Sequence, residues 1–559
     1  MKRGNQPWWK KTVVYQVYPR SFKDSTGNGI GDIPGIISKL DYLADLGIET
    51  IWFSPFFDSP QEDFGYDIRN YRAIAPEYGT LQDCEALINE IHARDMRIVF
   101  DMVLNHTSDQ HPWFLASKSS KNDPKRGWYV WHDGRKPGGK KPPNNWKSMI
   151  TGSGWHYHEP TDQWYWAQFL PFQPDLNYRN PEVRGEMLDT MKFWLSKGAD
   201  GFRLDIINAI YEDDEFRDNP RSWRLLPSEE SPAMLFTNPK YTLNHPDTLA
   251  FMRVLRDAID TFDDPSRFMV GEVSAPLPIL KQYMGESGDG LNLTFQFQSL
   301  SLKMRAKAVR GLLEDYEEWF PAPLIPTWVF SNHDRFRRIS RIGGGILQAK
   351  LNAALQLTAR GVPFIYYGEE VGMEQHHLPV KYSKDPVALK FKHIPQFIFN
   401  IARKIAKESI NRDECRTPMQ WNASENGGFC PAGVDPWLPM TPSYRERNVA
   451  VQENEPDSLL NCYKRFLHAR KIMPPLHAGD MTIDTSDAYP SHVVHFIREC
   501  RETGGRVDVF LNFSGNDLDL NFPVPLKEIV VSTRIPAEGA IGNGIKLTPW
   551  EGIVVQLQR

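Results

Sequence analysis

Four carboxylates stand at the C-terminal ends of runs that have the composition of buried strands. Asp101 ends RIVFD, Asp205 ends GFRLD, Glu272 ends FMVGE and Asp334 ends TWVFSNHD. Each run is aliphatic, β-branched or aromatic, as expected of a strand that is buried on both faces. The C-terminal ends of such strands are where a parallel β/α barrel places its catalytic groups.

Two of these carboxylates have the types and spacing needed to cleave a glycosidic bond with retention of configuration. That reaction needs an ionised carboxylate that attacks the anomeric carbon and a protonated carboxyl that protonates the leaving oxygen. Asp205 and Glu272 end consecutive predicted strands, so they can approach to the roughly 5–5.5 Å that retention requires. We therefore predict Asp205 as nucleophile, Glu272 as acid/base, and a bell-shaped pH–rate profile.

Neighbouring residues support these roles. Arg203 lies two residues before Asp205, on the same face of the strand, where its cation would keep Asp205 ionised. Asp334 follows His333, and this pair could bind sugar hydroxyls and stabilise a cationic transition state.

Eight strand-like runs could hold these groups in place. Helical patterns lie between most of the runs, and this alternation predicts an α/β fold, a (β/α)8 TIM barrel. The predicted strands cover residues 11–18, 49–56, 96–103, 201–207, 267–273, 291–298, 327–334 and 363–368.

Three segments depart from this alternation. Residues 105–174 are rich in Trp, Pro, Gly and His and predict a loop-rich inserted domain B without a clear helix. Residues 374–410 form a second excursion with an amphipathic helix. After about residue 475, short alternating runs predict an antiparallel β-sandwich. The expected domains are a barrel (1–104 and 175–474), domain B (105–174) and domain C (475–559).

Composition argues against several other classes of protein. The net charge of −5, from 65 basic and 70 acidic residues, leaves no overall electrostatic footprint for nucleic acid or an anionic membrane. The five cysteines are widely spaced and form no CxxC or Cys/His cluster, which argues against a disulfide framework or a zinc site. No early apolar stretch is long enough for a signal peptide or membrane span, so we expect a cytoplasmic protein.

Four motifs resemble the signature regions of the α-amylase family, glycoside hydrolase family 13. They are DMVLNH (101–106), GFRLDI (201–206), GEV (271–273) and FSNHD (330–334). The resemblance runs from about Trp8 to the end of the chain. It implies the same nucleophile and acid/base, Asp334 as the transition-state carboxylate, and contacts to the sugar in subsite −1 from His106, Arg203 and His333.

Within that family the chain is most similar to the oligo-1,6-glucosidase and α-glucosidase branch. The marks are VVYQVYPRSF (13–22), FGYDI (64–68), QPDLN (173–177), YYGEEVGM (366–373) and RTPMQW (416–421). The likeness implies that Tyr66, Asp67 and Arg416 form the floor of subsite −1 and close it behind one terminal glucose. An enzyme with such a pocket acts from the chain end.

The residue after the nucleophile resembles a linkage selector of this branch. Val there accompanies α-1,6 activity, and Ala or Thr accompanies α-1,4 activity. Here the residue is Ile206, which is β-branched like Val and favours α-1,6 links. DRFRRISRIGGG (334–345) and QFLPFQPDLNY (168–178) depart from the branch, and we expect Arg335, Arg337, Phe172 and Tyr178 to alter subsite +1.

The loop DSTGNGIGD (24–32) spaces oxygen donors at alternate positions, as at the start of a calcium loop. The related branch carries Ca²⁺ or Mg²⁺ at this loop, usually with more acidic residues, so the resemblance implies a weak structural ion. The alternative is a glycine-rich turn without metal. Catalysis by two carboxylates needs no cofactor. The predicted ligands are Asp24, Thr26, Asn28, the carbonyl of Ile30, and Asp32.

Three functions remain open at this stage. The first is an exo-acting, retaining α-glucosidase for short isomalto- or malto-oligosaccharides, with sucrose a further substrate. The second is an α-glucosyltransferase or sucrose isomerase that uses the same covalent intermediate. The third is a non-catalytic binding protein of the same fold, although this chain keeps the acids that such relatives lose. In each case we expect a monomer or weak homo-oligomer, a small glucoside as partner, and neither nucleic acid nor membrane.

Overall fold

The computed structural model describes residues 6–135, 139–150, 152–224, 228, 231–406, 411–486, 488–535 and 544–558. Eight strands form one sheet in the order β6-β5-β4-β3-β2-β1-β8-β7, and every pair with a defined register is parallel. This cyclic order is that of the predicted (β/α)8 barrel, which is thereby confirmed. The strands are β1 (Val14–Val17), β2 (Thr50–Phe53), β3 (Arg97–Val103), β4 (Gly201–Asp205), β5 (Phe268–Gly271), β6 (Leu293–Thr294), β7 (Thr327–Val329) and β8 (Val362–Tyr366).

A helix follows each barrel strand. Local sequence sets where several of them begin: Asn180 and Ser458 accept a backbone N–H at an N-cap, and Thr80 and Asp83 form a capping box. The helices are α1 (Leu40–Leu46), α2 (Leu81–His92), α3 (Pro181–Ser196), α4 (Pro246–Asp260), α5 (Leu277–Met284), α6 (Ala306–Trp319), α7 (Ile346–Thr358) and α8 (Leu459–Ile472). Shorter helices span Pro19–Phe22, Ile33–Ile37, Arg338–Arg341, Val449–Glu453 and Pro474–Ala478.

The chain divides into two compact units. One comprises residues 1–51, 90–96 and 296–559, and the other comprises residues 52–89 and 97–295. The first unit contains β1, β7 and β8, and the second contains β3 to β6.

The segment between β3 and α3, in the second unit, is more ordered than the sequence predicts. A helix spans Pro112–Ser119, so the prediction that this segment lacks a clear helix was wrong. Strands Trp131–His132, Gln163–Trp166 and Trp155–His158 form a small antiparallel sheet, with Gln163–Trp166 in the middle. Its tryptophans are packing residues, because a buried cluster is built from Val130, Trp146, Trp155 and Trp166.

The C-terminal part is an antiparallel β-sandwich, as predicted. Five strands pair in the order β9-β10-β11-β15-β13, and β12 pairs with β14. Phe510 and Val555 from the larger sheet share one buried cluster with Leu520 and Leu547 from the smaller one. The strands are β9 (Asp480–Ile483), β10 (Val493–Cys500), β11 (Gly505–Asn512), β12 (Leu518–Asn521), β13 (Leu526–Ser532), β14 (Gly544–Leu547) and β15 (Gly552–Leu557).

Helix α7 is buried on every side along most of its length. Every residue from Ala349 to Thr358 is buried, whereas an outer barrel helix ordinarily exposes one face to water. Gly552 of β15 explains the close approach, since a Cβ there would lie 3.1 Å from side-chain atoms of both Ala354 and Leu351. The C-terminal sandwich therefore covers the outer face of α7.

The 374–410 excursion contains the predicted amphipathic helix, at Gln396–Ala406. It begins directly after Pro395, later than the apolar pattern from residue 391 indicates, and residues 407–410 of that pattern lie outside the described residues. A second, short helix spans Pro386–Leu389.

Candidate active site

Arg203 is the centre of a buried cluster at the C-terminal ends of β3, β4 and β5. Its Nη1 donates to Asp101 Oδ1 at 2.6 Å and to Asp205 Oδ1 at 2.7 Å, and its Nη2 donates to Glu272. All four side chains are at most 11% exposed. Because Asp205 and Glu272 bind one guanidinium, they are held near each other, as a retaining pair must be.

Strand register explains why these groups meet. Asp101 of β3 is paired directly with Arg203 of β4, and Val103 is paired with Asp205. Glu272 follows Gly271, where a Cβ would lie 2.4 Å from a Leu291 methyl carbon, so a side chain at this position would require Leu291 to move.

Electrostatics in this cluster favour the retention of a proton. Burial opposes the charge on Arg203, but Asp101 and Glu272 raise its pKa well above the ordinary value. Burial also raises the pKa of Asp101 to about 6, although Arg203 acts in the opposite direction. Three buried carboxylates and one cation would carry a net charge of −2 if all were ionised, which favours one carboxyl staying protonated.

Asp101 is held by two further donors. Trp52 Nε1 and Tyr66 Oη each donate to Asp101 Oδ2 at 3.2 Å. The ring of Tyr66, a predicted subsite residue, lies 5.7 Å from the Arg203 guanidinium. Tyr66 is thus tied to the carboxylate cluster as well as being a candidate stacking face.

His106 is buried and neutral. Its Nδ1 is 3.2 Å from Asn105 Nδ2, and its Nε2 is 3.1 Å from the carbonyl of Tyr66. Burial lowers the pKa of His106 to about 4. A neutral ring that donates from Nε2 is consistent with a role in positioning the Tyr66 loop and a sugar hydroxyl.

Ile206 adopts a left-handed backbone conformation, with φ +39° and ψ +44°. A positive φ at a β-branched residue is a strained outlier, and such strain concentrates at functional sites. The turn at Ile206 lets Ile207 N donate to the carbonyl of Glu272 at 3.1 Å. The backbone after the predicted nucleophile is thereby fixed to the backbone of the predicted acid.

Asp67 is enclosed by its own loop. Ser59 Oγ, the Glu62 amide and the Asp63 amide all donate to its carboxylate at 2.9–3.0 Å. Burial raises the pKa of Asp67 to about 7. Its joint role with Arg416 in binding a glucose hydroxyl stays a prediction.

A second cluster, in the first unit, surrounds Asp334. Arg416 Nη2 donates to Asp334 Oδ1 at 2.7 Å, and Arg416 Nε donates to the carbonyl of His333 at 2.8 Å. His333 Nε2 lies 3.3 Å from Asp334 Oδ2, and Gln16 Nε2 lies 2.7 Å from His333 Nδ1. Tyr18 stacks on the His333 ring, with centroids 6.0 Å apart. The Asp334 side chain is 32% exposed, so within this cluster Asp334 is the residue that a ligand can reach.

Arg412 also approaches Asp334, with Nη1 to Oδ1 at 3.5 Å. Asp385, fully buried in the 374–410 excursion, accepts from the backbone N, Nε and Nη2 of Arg412 at 2.8–3.1 Å. Burial opposes ionisation of Asp385, but Arg412 and Arg416 lower its pKa below the ordinary value. The excursion therefore supplies the Asp385 carboxylate, which holds the Arg412 guanidinium beside Asp334.

Sequence reasoning missed five residues of these clusters. Gln16 and Tyr18 lie within the motif at 13–22 and Arg412 lies shortly before the motif at 416–421, so position relative to the motifs could have indicated them. Trp52 lies in the second predicted strand and in none of these motifs. Nothing in the sequence around Asp385 marks it as a partner of Arg412, which is 27 residues away.

The residues expected to alter subsite +1 include two that are turned inward. Arg337 is 2% exposed, lies over the rings of Tyr366 and Tyr367, and donates from Nη1 to the carbonyl of Tyr367 at 2.8 Å. Tyr178 is 1% exposed and donates to the carbonyl of Leu104. Arg337 and Tyr178 are therefore packed in the protein interior. Of the four residues, Arg335 and Phe172 remain as candidates for contact with an acceptor.

The predicted metal loop is closed by its own hydrogen bonds. Asp24 accepts from the amides of Gly27 and Gly29 at 2.7 and 2.8 Å. Asp32 accepts from the amides of Ser25 and Thr26 and caps the helix at Ile33–Ile37, and Asn28 accepts from the Ile30 amide. Among the described residues no three His, Cys, Asp or Glu side chains form a metal-binding group. The donors are all oxygens and would suit calcium, but with only two acids the ion remains a proposal.

The five cysteines are all buried, and none of them forms a disulfide in this structure.

Comparison with known proteins identifies the family. A model of the alpha-amylase catalytic domain matches residues 16–479. The chain belongs to the alpha-amylase family. Its relatives in this family match along nearly the whole chain. It is 38% identical to a probable alpha-glucosidase of Rhizobium meliloti, over 99% of this chain and 98% of that protein. It is 37% identical to an oligo-1,6-glucosidase of Parageobacillus thermoglucosidasius, over 99% of each.

A solved structure of the same family shows how closely the fold is kept. The alpha-glucosyl transfer enzyme XgtA superposes with a TM-score of 0.87 at 34% identity, and the match covers 99% of this chain and 100% of that one. The fold is therefore shared over nearly the whole of both chains.

Proposed function

We propose that this glycoside hydrolase is an exo-acting, retaining α-glucosidase that releases α-glucose from the non-reducing end of short α-glucosides. The observation that carries this proposal is the shared guanidinium of Arg203, which binds both Asp205 and Glu272. The similarity to an alpha-glucosidase and to an oligo-1,6-glucosidase supports the same class of substrate.

The proposed reaction has two steps. Asp205 attacks the anomeric carbon while Glu272 protonates the leaving oxygen, so the glycosidic bond breaks and a covalent glucosyl-enzyme forms. Glu272, now ionised, then removes a proton from water, which attacks the same carbon and frees Asp205. Arg203 stabilises the ionised form of Asp205 in the free enzyme. Asp334, oriented by Arg416 and Arg412, is assigned as the carboxylate that stabilises the cationic transition state.

The sugar contacts of subsite −1 are assigned by the same reasoning. Tyr66 offers the stacking face. His106 and His333 are assigned to this subsite by the family resemblance. The ring N–H of His106 binds the Tyr66 carbonyl and that of His333 faces Asp334, so both rings position neighbouring groups around the sugar. The GYD and RTPMQW motifs at Tyr66 and Arg416, whose resemblance implies a pocket closed behind one terminal glucose, support action from the non-reducing end.

Glucosyl transfer is the second candidate, because the similarity to XgtA extends over the full chain. Transfer uses the same intermediate and differs only in whether water or an acceptor hydroxyl attacks it. Sucrose isomerisation is the special case in which the released fructose is the acceptor. A purely binding protein is disfavoured, since all three acids are retained.

A product assay separates these functions. The purified protein is incubated separately with isomaltose, maltose and sucrose, and the first sugar released is read by NMR for its anomeric form. We expect α-glucose, formed fastest from isomaltose. New oligosaccharides or a sucrose isomer would establish transfer, and β-glucose would contradict the assigned nucleophile.

Two aspartate variants provide the test and its matched control. Asp205→Asn should lower kcat on the order of 10³-fold or more, since the nucleophile is lost. Asp189→Asn, on the surface of α3 with a side chain 67% exposed, should be unchanged. No turnover of any of the three sugars, with Asp205→Asn indistinguishable from wild type, would support the binding-protein alternative.

A further inference from the structure

The 374–410 excursion carries an unusual concentration of exposed apolar side chains. Of the fifteen large hydrophobic residues that are exposed in the described part of the chain, six lie within 21 consecutive positions. The exposed fractions are highest at Tyr382 (69%), Phe397 (63%) and Ile401 (54%). Exposed apolar side chains that are concentrated in one part of a protein are candidates for a binding site. We call residues 381–401 the basic apolar surface; its exposed apolar members are Tyr382, Leu389, Ile394, Phe397, Ile398 and Ile401.

The same stretch is positively charged. It exposes Lys381, Lys384, Lys390 and Lys392. Asp385 is the only acid among these 21 residues, all of which the structure describes, and it is fully buried against Arg412. The whole chain has a net charge of −5, but residues 381–401 have four exposed lysines and no exposed acid.

The helix within this surface divides its residues between an inner and an outer face. Phe399 is buried with Val380 and Ala388 in a small cluster that fastens the helix to the excursion. Phe397, Ile398 and Ile401 point outward, at 44–63% exposure. The excursion is also fixed at its base, because Ser383 and the Lys384 amide both donate to Asp413. The apolar side chains are thus presented by an anchored element.

From this combination we infer that the basic apolar surface docks on an anionic lipid surface. Amphipathic helices that lie in a membrane interface bury aromatic and aliphatic side chains among the acyl chains and place lysines near anionic headgroups. The charge complements an anionic surface, and the apolar residues gain by leaving water. In the described chain no helix is both long and apolar enough to cross a bilayer, so the inferred attachment is peripheral.

Vesicle co-sedimentation tests the inference. The full chain is mixed with vesicles of phosphatidylcholine alone and with vesicles that also contain phosphatidylglycerol, at low and high salt. We expect binding to the anionic vesicles only, weakened by salt because screening acts on the lysines. No binding to anionic vesicles at low salt would overturn the proposal.

Two groups of variants locate the contact. F397S/I398S/I401S and K381Q/K384Q/K390Q/K392Q should each lower the lipid partition coefficient on the order of tenfold or more. The matched controls are V254S/L347S/I472S, which alters exposed apolar residues elsewhere, and K121Q/K192Q/K303Q/K307Q, which removes four exposed lysines elsewhere. Both controls should bind as wild type.

A second copy of the chain is the competing occupant of this surface. Light scattering of the lipid-free protein over a range of concentrations distinguishes it. A dimer that F397S/I398S/I401S dissociates would overturn the lipid assignment, and so would equal vesicle binding by this variant and wild type. Circular dichroism and thermal melting of each variant confirm that the exposed substitutions leave the fold intact.

Discussion

Asp385 accepts three hydrogen bonds from Arg412, one from its backbone N and two from its guanidinium. This contact joins the excursion after β8 to the surroundings of Asp334, since Arg412 Nη1 lies 3.5 Å from that carboxylate. The excursion is therefore a scaffold for the candidate active site as well as a surface feature.

Asp385→Asn should weaken catalysis through Arg412. The neutral amide cannot balance a largely buried guanidinium, so Arg412 should lose its fixed position beside Asp334. We expect kcat to fall on the order of 10- to 100-fold with a smaller change in KM, since misplacement near the reacting centre acts mainly on the transition state. Steady-state kinetics on isomaltose measures this. Asp189→Asn serves as control, and a change confined to KM would contradict a positioning role.

Asp101→Asn should shift the basic limb of the pH–rate profile. Asp101 shares Arg203 with Asp205 and Glu272, so its negative charge helps to keep a proton on the acid. Removal of that charge should make the acid lose its proton at lower pH. We expect the basic limb of kcat/KM to move down by about one pH unit. A basic limb that is unchanged or shifted to higher pH would contradict the role of Asp101 in keeping the acid protonated.

Ile206 should influence linkage preference through both its size and its backbone. Ile206→Ala should lower the ratio of kcat/KM for isomaltose to that for maltose, whereas Ile206→Val should keep the ratio close to that of wild type. Ala and Val both carry a Cβ, as Ile does, so neither variant gains the freedom of glycine at the φ of +39°, and the comparison tests the side chain. If Ala and Val give the same ratio, Ile206 does not select the linkage.

His111 makes stability depend on pH in the acidic range. Burial lowers its pKa to about 3, and its Nδ1 accepts the Trp113 amide at the start of helix Pro112–Ser119. The unfolded chain takes up a proton near pH 6.5 and the folded chain only near pH 3, so stability falls as pH decreases through this range.

His111→Asn provides the measurement, because Asn also caps a helix but does not titrate. At pH 7 the free energies of unfolding of variant and wild type should be similar. At pH 4.5 the variant should gain about 2–3 kcal/mol relative to wild type. Urea unfolding at both pH values detects the difference, and a constant difference between them would refute the role of His111.

Asn28→Asp should strengthen calcium binding at the 24–32 loop. The loop has two acids, Asp24 and Asp32, and a third would raise the charge of the oxygen donor set. We expect millimolar Ca²⁺ to raise the melting temperature of the variant more than that of wild type, with EDTA reversing the effect. Equal responses would mean that this loop does not bind the ion.

The sequence was sufficient for the features that local patterns determine. The barrel and the C-terminal sandwich follow from strand-like runs and their spacing. The roles of the residues in the motifs at 101–106, 201–206 and 330–334 come from the family resemblance and stay predictions. Contacts that depend on register or on distant segments could not be predicted in the same way. The Asp101–Arg203 pair requires the exact alignment of β3 with β4, and the Asp385–Arg412 pair requires a fold-back over 27 residues.

Individual side chains show the same limit. Arg337 has a residue type suited to a ligand, but its position over Tyr366 and Tyr367 is determined by packing that a single sequence does not display. The positive φ of Ile206 could not be predicted from the sequence either, because β-branched residues rarely adopt it.

The enclosure of α7 affects how the chain can be divided. Arg498 of the sandwich donates to the carbonyls of Thr358 and Gly479, and Arg470 of α8 donates to the carbonyl of Leu357, so two buried arginines bind the C-terminal end of α7. A protein shortened before β9 would keep Arg470 but lose Arg498. It would therefore leave an apolar helix face uncovered and remove the Arg498 donor from the Thr358 carbonyl. The sandwich is thus a folding partner of the helix it covers, and removing it should yield insoluble protein rather than a smaller enzyme.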